Sequence, residues 1–242
     1  MNPVIQSLHN RKSVRVFTGD PITAEEKQAI LECAFQAPTA GNQQLYTILD
    51  IPDQAVKERL AVLCDNQPFL ASAPLVLLFL ADCKKWFDAF RFGGCEPRKP
   101  GLGDLLLAVS DANIAAQNAV TAAQSLGIGS CYIGDVMERH DEMCALLSLP
   151  RYVFPAAMLV FGRPTRQQLE RSKPVRCDPR FIVHENAYRE LDAGELEAML
   201  AKNAGQRPYG QWLDAFCKRK YNSEFSREMT RSVTQYCKDF LD

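Results

Sequence analysis

Four side chains that can bind an anion lie close together near the start of the chain, in the stretch HNRKSVRVF. Arg11 and Arg15 lie four residues apart, with Lys12 and Ser13 between them. Guanidinium groups hold a phosphate through paired hydrogen bonds, and a lysine ammonium adds a point charge. The spacing therefore predicts a phosphate site. From the charges alone, a solvated basic patch at the C-terminal end of a short helix is an equally good interpretation.

The charge balance of the whole chain indicates that this basic cluster is a local feature. The chain has 242 residues and a formal net charge of -1, from 28 basic and 29 acidic residues. Since a general nucleic-acid binder carries a large basic excess, we expect no nucleic-acid partner. There is no apolar run long enough to cross a bilayer, and the first residues lack the pattern of a signal peptide. We therefore expect a cytoplasmic protein with no membrane partner.

Other common types of site have little support in the sequence. The nine cysteines include no CxxC pair, and the three histidines lie far apart with no HExxH motif. Because metal sites and dithiol redox sites normally show close pairs, we predict no metal ion and mainly reduced, scattered thiols. The sequence also contains no P-loop and no GxSxG elbow, so a phosphate-binding Walker motif and a serine triad are unsupported.

Capping signals and apolar spacing predict the elements that position the basic cluster. Asn2 and Pro3 indicate the start of a first helix, and Thr23 and Glu26 have the spacing of a capping box at the start of a second. Apolar runs predict strands, and apolar residues at helical spacing predict helices, among them a long alanine-rich helix over 104–126. The mixed order indicates an α+β or α/β fold. The predicted strands are LYTILDI, APLVLLFLA, IGSCYIGD and AAMLVFG.

Five segments in a fixed order give the chain a family resemblance. They are RKSVRVF, APTAGNQQLYTILDI, AAQNAVTAAQSLGIGSCYIGDV, LLSLPRYVFPAAMLVFGRPT and FIVHENAY. Together they resemble the FMN-dependent nitroreductase family, in particular its branch of NADPH nitroreductases and flavin reductases. The resemblance extends over residues 4–190. Each segment alone is a weak signal, and the agreement of all five in order makes the resemblance specific.

The resemblance implies a fold and an assembly. The expected fold is α+β, with a mixed and mainly antiparallel sheet sandwiched by helices. Residues 1–186 are expected to form the FMN-binding core, and residues 187–242 a C-terminal helical extension that packs on the core and on a partner. The resemblance also implies a homodimer in which the C-terminal arms are exchanged.

The resemblance also implies which residues bind FMN. The basic cluster corresponds to the family motif for the phosphate and ribityl chain, and the loop APTAGNQQ and the segment YIGD correspond to segments beside the flavin ring. A second basic pair is expected to reach the phosphate, although KPVR is one residue longer than the usual K-x-R. The expected cofactor-binding residues are Arg11, Lys12, Ser13, Arg15, Thr39, Gln67, Tyr132, Ile133, Gly134, Asp135, Lys173 and Arg176.

The function implied by the resemblance is hydride transfer from NADPH or NADH, through flavin N5, to a small-molecule acceptor such as a nitro compound, a quinone or free flavin. This ping-pong chemistry needs no general base from the protein. Arg207 is a candidate for recognising the NADPH 2′-phosphate, with a surface arginine as the alternative. The alternatives for function are an FMN store or sensor, an enone or dehalogenating reductase of the same fold with residues 93–101 as a lid, and a non-flavin anion-binding protein.

Overall fold

The computed structural model describes residues 2–241, which form two compact units. One unit contains the described residues up to Arg171 together with those from Glu228 onward, and the other is Ser172–Arg227. The helices are α1 (Pro3–Asn10), α2 (Ala24–Phe35), α3 (Gln54–Leu63), α4 (Lys84–Phe92), α5 (Leu102–Ser125), α6 (His140–Leu147), α7 (Arg166–Glu170), α8 (Ala193–Ala204), α9 (Tyr209–Lys220) and α10 (Glu224–Lys238). Short 3₁₀ turns lie at Ala40–Asn42, Asp135–Met137 and Pro179–Phe181.

An antiparallel sheet forms the centre of the first unit. Its strands are β1 (Tyr46–Asp50), β2 (Leu75–Asp82), β3 (Gly129–Ile133) and β4 (Val153–Gly162), in the order β1-β2-β4-β3. Every residue of β2 and β4 is buried, as a continuous apolar run predicts for a strand that is covered on both faces.

Helices cover both faces of this sheet because alternate side chains point to opposite sides. Leu77 and Phe79 of β2 belong to the core on the side of α2 and α5, whereas Val76 and Leu78 belong to the core on the side of α3. The predicted α+β sandwich with a mainly antiparallel sheet is therefore confirmed.

The long helix α5 lies in the first of these cores. Six of its alanines are completely buried inside the chain. Its N-terminus is Leu102, two residues earlier than predicted, because Asp104 accepts a 2.8 Å hydrogen bond from the backbone N–H of Gly101. The alanines are therefore explained by packing within one chain, and no second subunit is needed to cover them.

Helix α4 is absent from the predictions. Asp82, at the end of β2, accepts hydrogen bonds from the backbone N–H groups of Lys84 (3.0 Å) and Lys85 (3.2 Å), and so caps the helix from outside it. A cap that belongs to the preceding strand gives no local start signal of the usual kind.

The basic N-terminal segment passes directly over the ends of two strands. The backbone N–H of Val14 donates to the carbonyl of Ser130 at 2.9 Å, and that of Thr18 donates to the carbonyl of Arg163 at 3.0 Å. A Cβ atom added to Gly129 would lie 2.5 Å from Val14 Cγ2, and one added to Gly162 would lie 2.5 Å from the Phe17 ring. Two glycines thus allow the segment to approach the sheet closely.

We predict that Gly129→Ala destabilises the protein by about 1–3 kcal/mol, because the new methyl group overlaps with a buried valine. Urea unfolding followed by circular dichroism measures the change. The matched control is Gly103→Ala in α5, where an added Cβ meets no atom of residues 2–241 within 4 Å apart from the adjoining chain and the backbone of the helix itself. Equal free energies of unfolding for the two variants would contradict this prediction and show that the N-terminal segment moves aside at little cost in free energy.

Candidate functional site

The first candidate residue, Arg11, lies immediately after α1 and half-buried beside Tyr132 of β3. Its guanidinium carbon is 5.9 Å from the centre of the Tyr132 ring. Arg11 Nε is buried and has no hydrogen-bond partner among the described residues. Burial raises the pKa of Tyr132 to about 12, against the opposing effect of the Arg11 charge. The site therefore contains a buried cationic donor that the protein itself leaves unused.

Arg15 extends the same cation surface. Its side chain is exposed and its guanidinium carbon lies 6.0 Å from the centre of the Phe69 ring, while its backbone N–H donates to Gln168 Oε1 at 3.3 Å. The ion pairs found between described residues include neither Arg11 nor Arg15. Two arginines without carboxylate partners are suited to bind an anionic group.

Lys12 is held differently from the two arginines. Its ammonium group donates to the carbonyl of Leu169 at 2.7 Å and to the carbonyl of Arg171. The Arg171 guanidinium in turn donates to the carbonyl of Ser13 at 2.7 Å. Lys12 and Arg171 therefore fasten the basic segment to the chain that follows β4, and the role of Lys12 and Ser13 in phosphate binding stays a prediction.

Gln67 lies in a strained turn after α3. The two residues before it, Asp65 and Asn66, have φ values of 59° and 52°, in the left-handed region that non-glycine residues seldom adopt. Gln67 Nε2 donates to the carbonyl of Cys64 at 2.8 Å and to Asp135 Oδ2 at 2.9 Å. Because both bonds use its nitrogen, the Gln67 amide presents its oxygen to other groups.

The end of β3 supplies an open surface. Ile133 is buried, whereas Gly134 is exposed, and a Cβ added to Gly134 would meet only the Met137 side chain, at 3.9 Å. None of the residues that the structure describes therefore requires glycine at this position. A flat group that lies against the backbone here gives a physical reason for it.

Thr39 belongs to a loop that α5 holds in place. Asp111, on the buried face of α5, accepts hydrogen bonds from the backbone N–H groups of Ala40 (3.0 Å) and Leu45 (3.2 Å). Thr39 Oγ1 closes the loop by accepting from the N–H of Gln44 at 3.2 Å. Asp111 was missed in the sequence, although a carboxylate within an alanine stripe is a usable signal of a buried polar role.

Lys173 and Arg176 lie in the second compact unit. Their expected contact with the phosphate stays a prediction.

In the part of the chain that the structure describes, no group of three or more His, Cys, Asp or Glu side chains is placed to hold a metal ion. No helix within residues 2–241 is long and apolar enough to span a bilayer.

Glu138 is a buried carboxyl group close to Asp135 and Asp65, and sequence reasoning did not identify it. It is only 4 % exposed, and its Oε1 atom has no hydrogen-bond partner among residues 2–241. Burial, and then the charges of Asp135 and Asp65, raise its pKa to about 7 from an ordinary value of 4.5. Glu138 therefore titrates near neutral pH, three residues after the predicted flavin contact Asp135.

We predict that Glu138→Gln stabilises the protein above pH 7 and has a smaller effect at low pH. Ionising Glu138 is unfavourable only in the folded state, so the native protein loses stability as pH rises from about 4.5 to 7. The glutamine amide has no proton to lose and stays neutral over this pH range. The difference in free energy of unfolding between variant and native protein should grow by about 1–3 kcal/mol between pH 5 and pH 8.

Urea unfolding at the two pH values measures this difference. Glu142→Gln, on an exposed position of α6, is the matched control and should show no such change. A pH-independent difference for Glu138→Gln would mean that this carboxyl ionises in the folded protein as it does in water.

The chain is similar to known proteins over most of its length. A sequence profile described as "Nitroreductase family" matches residues 8–163. The chain is 31% identical over 239 residues to an FMN reductase [NAD(P)H] of Bacillus subtilis, covering 98% of this chain and 91% of the relative. It is 34% identical over 203 residues to the oxygen-insensitive NADPH nitroreductase of Salmonella typhimurium, covering 84% of this chain and 80% of the relative.

A solved structure gives the same result for the fold. The NADPH:FMN oxidoreductase of Vibrio harveyi, complexed with NAD⁺, superposes with a TM-score of 0.82 at 25% sequence identity, over 98% of each chain. The likeness therefore includes the sheet and the helices that cover it.

Proposed function

The chain belongs to the Nitroreductase family, and from this premise we propose that it is an FMN-dependent oxidoreductase that transfers hydride from NAD(P)H to a small-molecule acceptor. The observation that carries the proposal is the half-buried Arg11, whose Nε–H is buried without a hydrogen-bond partner among the described residues, on the segment that corresponds to the FMN-phosphate motif. The relatives named FMN reductase and NADPH nitroreductase support the same chemistry.

The residues present fit FMN. Arg11 and Arg15 supply the positive charge that a phosphate needs, and the exposed backbone at Gly134 leaves room for a flat ring system. The Gln67 amide, held through its nitrogen by Asp135, would offer its oxygen as an acceptor. When bound, FMN would supply the chemistry, which is hydride transfer in two steps through N5. This chain then needs to bind and orient FMN and the substrates and to exclude water, and no protein general base is required.

The acceptor is proposed to be a nitro compound, a quinone or free flavin. The name nitroreductase for one relative supports a nitro compound as acceptor, and the name flavin oxidoreductase for another supports free flavin. The family fold itself does not select among them, because related scaffolds accommodate different substrates. The cytoplasmic location and the division into residues 1–186 and 187–242 stay predictions.

We also propose that the chain forms a homodimer with exchanged C-terminal arms. Large apolar side chains are exposed on three helices, among them Val4 (59%) and Ile5 (48%) of α1, Phe35 (53%) of α2 and Leu106 (67%) of α5. Apolar surface of this kind commonly marks a protein interface. Sedimentation equilibrium should give twice the 27.1 kDa chain mass.

The proposed activity is tested by an absorbance spectrum of the purified protein, followed by anaerobic titration with NADPH and then NADH. We expect a flavin spectrum that bleaches with at least one donor. Faster bleaching by NADPH would support the proposed role of Arg207. A flavin spectrum that neither donor changes would favour the store or sensor, and failure to take up added FMN would overturn the proposal.

We predict that Arg11→Ala and Arg15→Ala each weaken FMN binding by about 1.5–3 kcal/mol, because each removes a charge-assisted contact to the phosphate. Equilibrium dialysis of the apoprotein with FMN measures the dissociation constant. The matched control is Arg59→Ala on an exposed position of α3, which should bind FMN like the native chain. Native affinity in both cluster variants would refute the phosphate assignment.

A further inference from the structure

A cavity of about 550 Å³ lies in the first unit, and none of its lining residues belongs to the basic cluster. Trp86, Phe87 and Phe90 of α4 form an aromatic wall. The Trp86 and Phe90 ring centres lie 5.6 Å apart with the rings tilted by 44°. The Trp86 indole N–H donates to the carbonyl of Gln43 at 2.7 Å, which fixes this wall against the loop that follows α2.

The opposite wall comes from the segment between α4 and α5 and from α5 itself. Pro97 and Pro100 contribute rigid apolar surface, and Leu107 adds an aliphatic side chain. Arg98 binds Asp104 through two hydrogen bonds, of 2.6 and 3.0 Å, and Asp104 also receives the N–H of Gly101. The segment over residues 93–101 is thus attached to the start of α5 by a bidentate ion pair.

The lining residues carry more negative than positive charge. The Arg98 and Asp104 charges compensate each other, and burial raises the pKa of Cys83 to about 12, so that thiol is neutral at pH 7. Glu96 also lines the cavity, and no ion pair between described residues includes it. The lining therefore presents one carboxylate that has no ion-pair partner among the described residues.

One of the three rings already has a cation beside it. The guanidinium carbon of Arg91 lies 5.6 Å from the centre of the Phe87 ring. The rings available to a ligand cation are therefore those of Trp86 and Phe90.

We propose that this cavity binds an organic cation with a flat apolar body, of the N-alkylpyridinium or aryl-ammonium class. A cation is attracted to the negative face of aromatic rings, most strongly to that of tryptophan, and several rings beside a carboxylate are suited to an ammonium or pyridinium group. The volume is in the range of small-molecule pockets. An anion of the same shape is disfavoured by Glu96. This inference does not depend on the flavin activity proposed above.

The test compares two ligands of nearly the same shape. 1-Methylnicotinamide is a cation and nicotinamide is neutral, and both are titrated against the full-length Trp212→Phe variant, in which Trp86 is the only tryptophan. We expect saturable quenching of Trp86 fluorescence, with the cation bound at least about five-fold more tightly. Calorimetry on the unmodified chain makes the same comparison without relying on the Trp212 substitution.

Two variants locate the binding. Glu96→Gln should weaken binding of 1-methylnicotinamide by about three-fold or more and leave nicotinamide unchanged, because it removes charge and keeps shape. Glu197→Gln, on an exposed position of α8, is the matched control and should change neither. Phe90→Leu should weaken binding of the cation and keep the indole bond to Gln43.

Equal affinity for the two ligands, quenching that only rises linearly with concentration, or an unchanged preference in Glu96→Gln would each overturn the proposal. The result is separable from that of the NADPH titration. If the flavin bleaches but Trp86 fluorescence shows no saturable response, the proposed activity stands and the cation site is refuted.

Discussion

The close approach of the N-terminal segment to the sheet is the constraint on which the candidate site depends. Val14 and Phe17 lie where side chains on Gly129 and Gly162 would otherwise be. Backbone hydrogen bonds from Val14 to Ser130 and from Thr18 to Arg163 fix the register of the segment. Because the register is fixed, Arg11 lies beside Tyr132 and Arg15 lies beside Phe69. Because interiors are close-packed, a shift of the segment would move both guanidinium groups together.

The cationic side chains around this segment have two different roles. Lys12 and Arg171 are bound to backbone carbonyls and hold the segment in place, whereas Arg11 and Arg15 have no carboxylate partner among the described residues. A buried donor without a partner is unfavourable unless a ligand satisfies it. The arrangement therefore suits the anion binding that we propose for this chain.

The loop that contains Thr39 connects the expected flavin surface with the aromatic cavity. On one side, Asp111 of α5 binds the backbone N–H groups of Ala40 and Leu45. On the other, the Gln43 carbonyl accepts the Trp86 indole N–H at the edge of the aromatic cavity. A loop with its polar backbone groups satisfied by two rigid helices has little freedom, so both the expected flavin surface and the cavity wall are preformed.

The sequence by itself determined the elements whose signals are local. The Asn2 cap and the Thr23–Glu26 capping box were predicted correctly, and the strand predicted over APLVLLFLA is observed at Leu75–Asp82. The five ordered segments identified the family. Tertiary structure alone decided the partners of these elements. Asp82 caps α4 from the preceding strand, Asp111 binds a loop far from it in the chain, and Glu138 is buried near Asp135 and Asp65. Capping and periodicity act within a few residues, whereas burial, pKa and hydrogen-bond partners depend on which distant segments fold together.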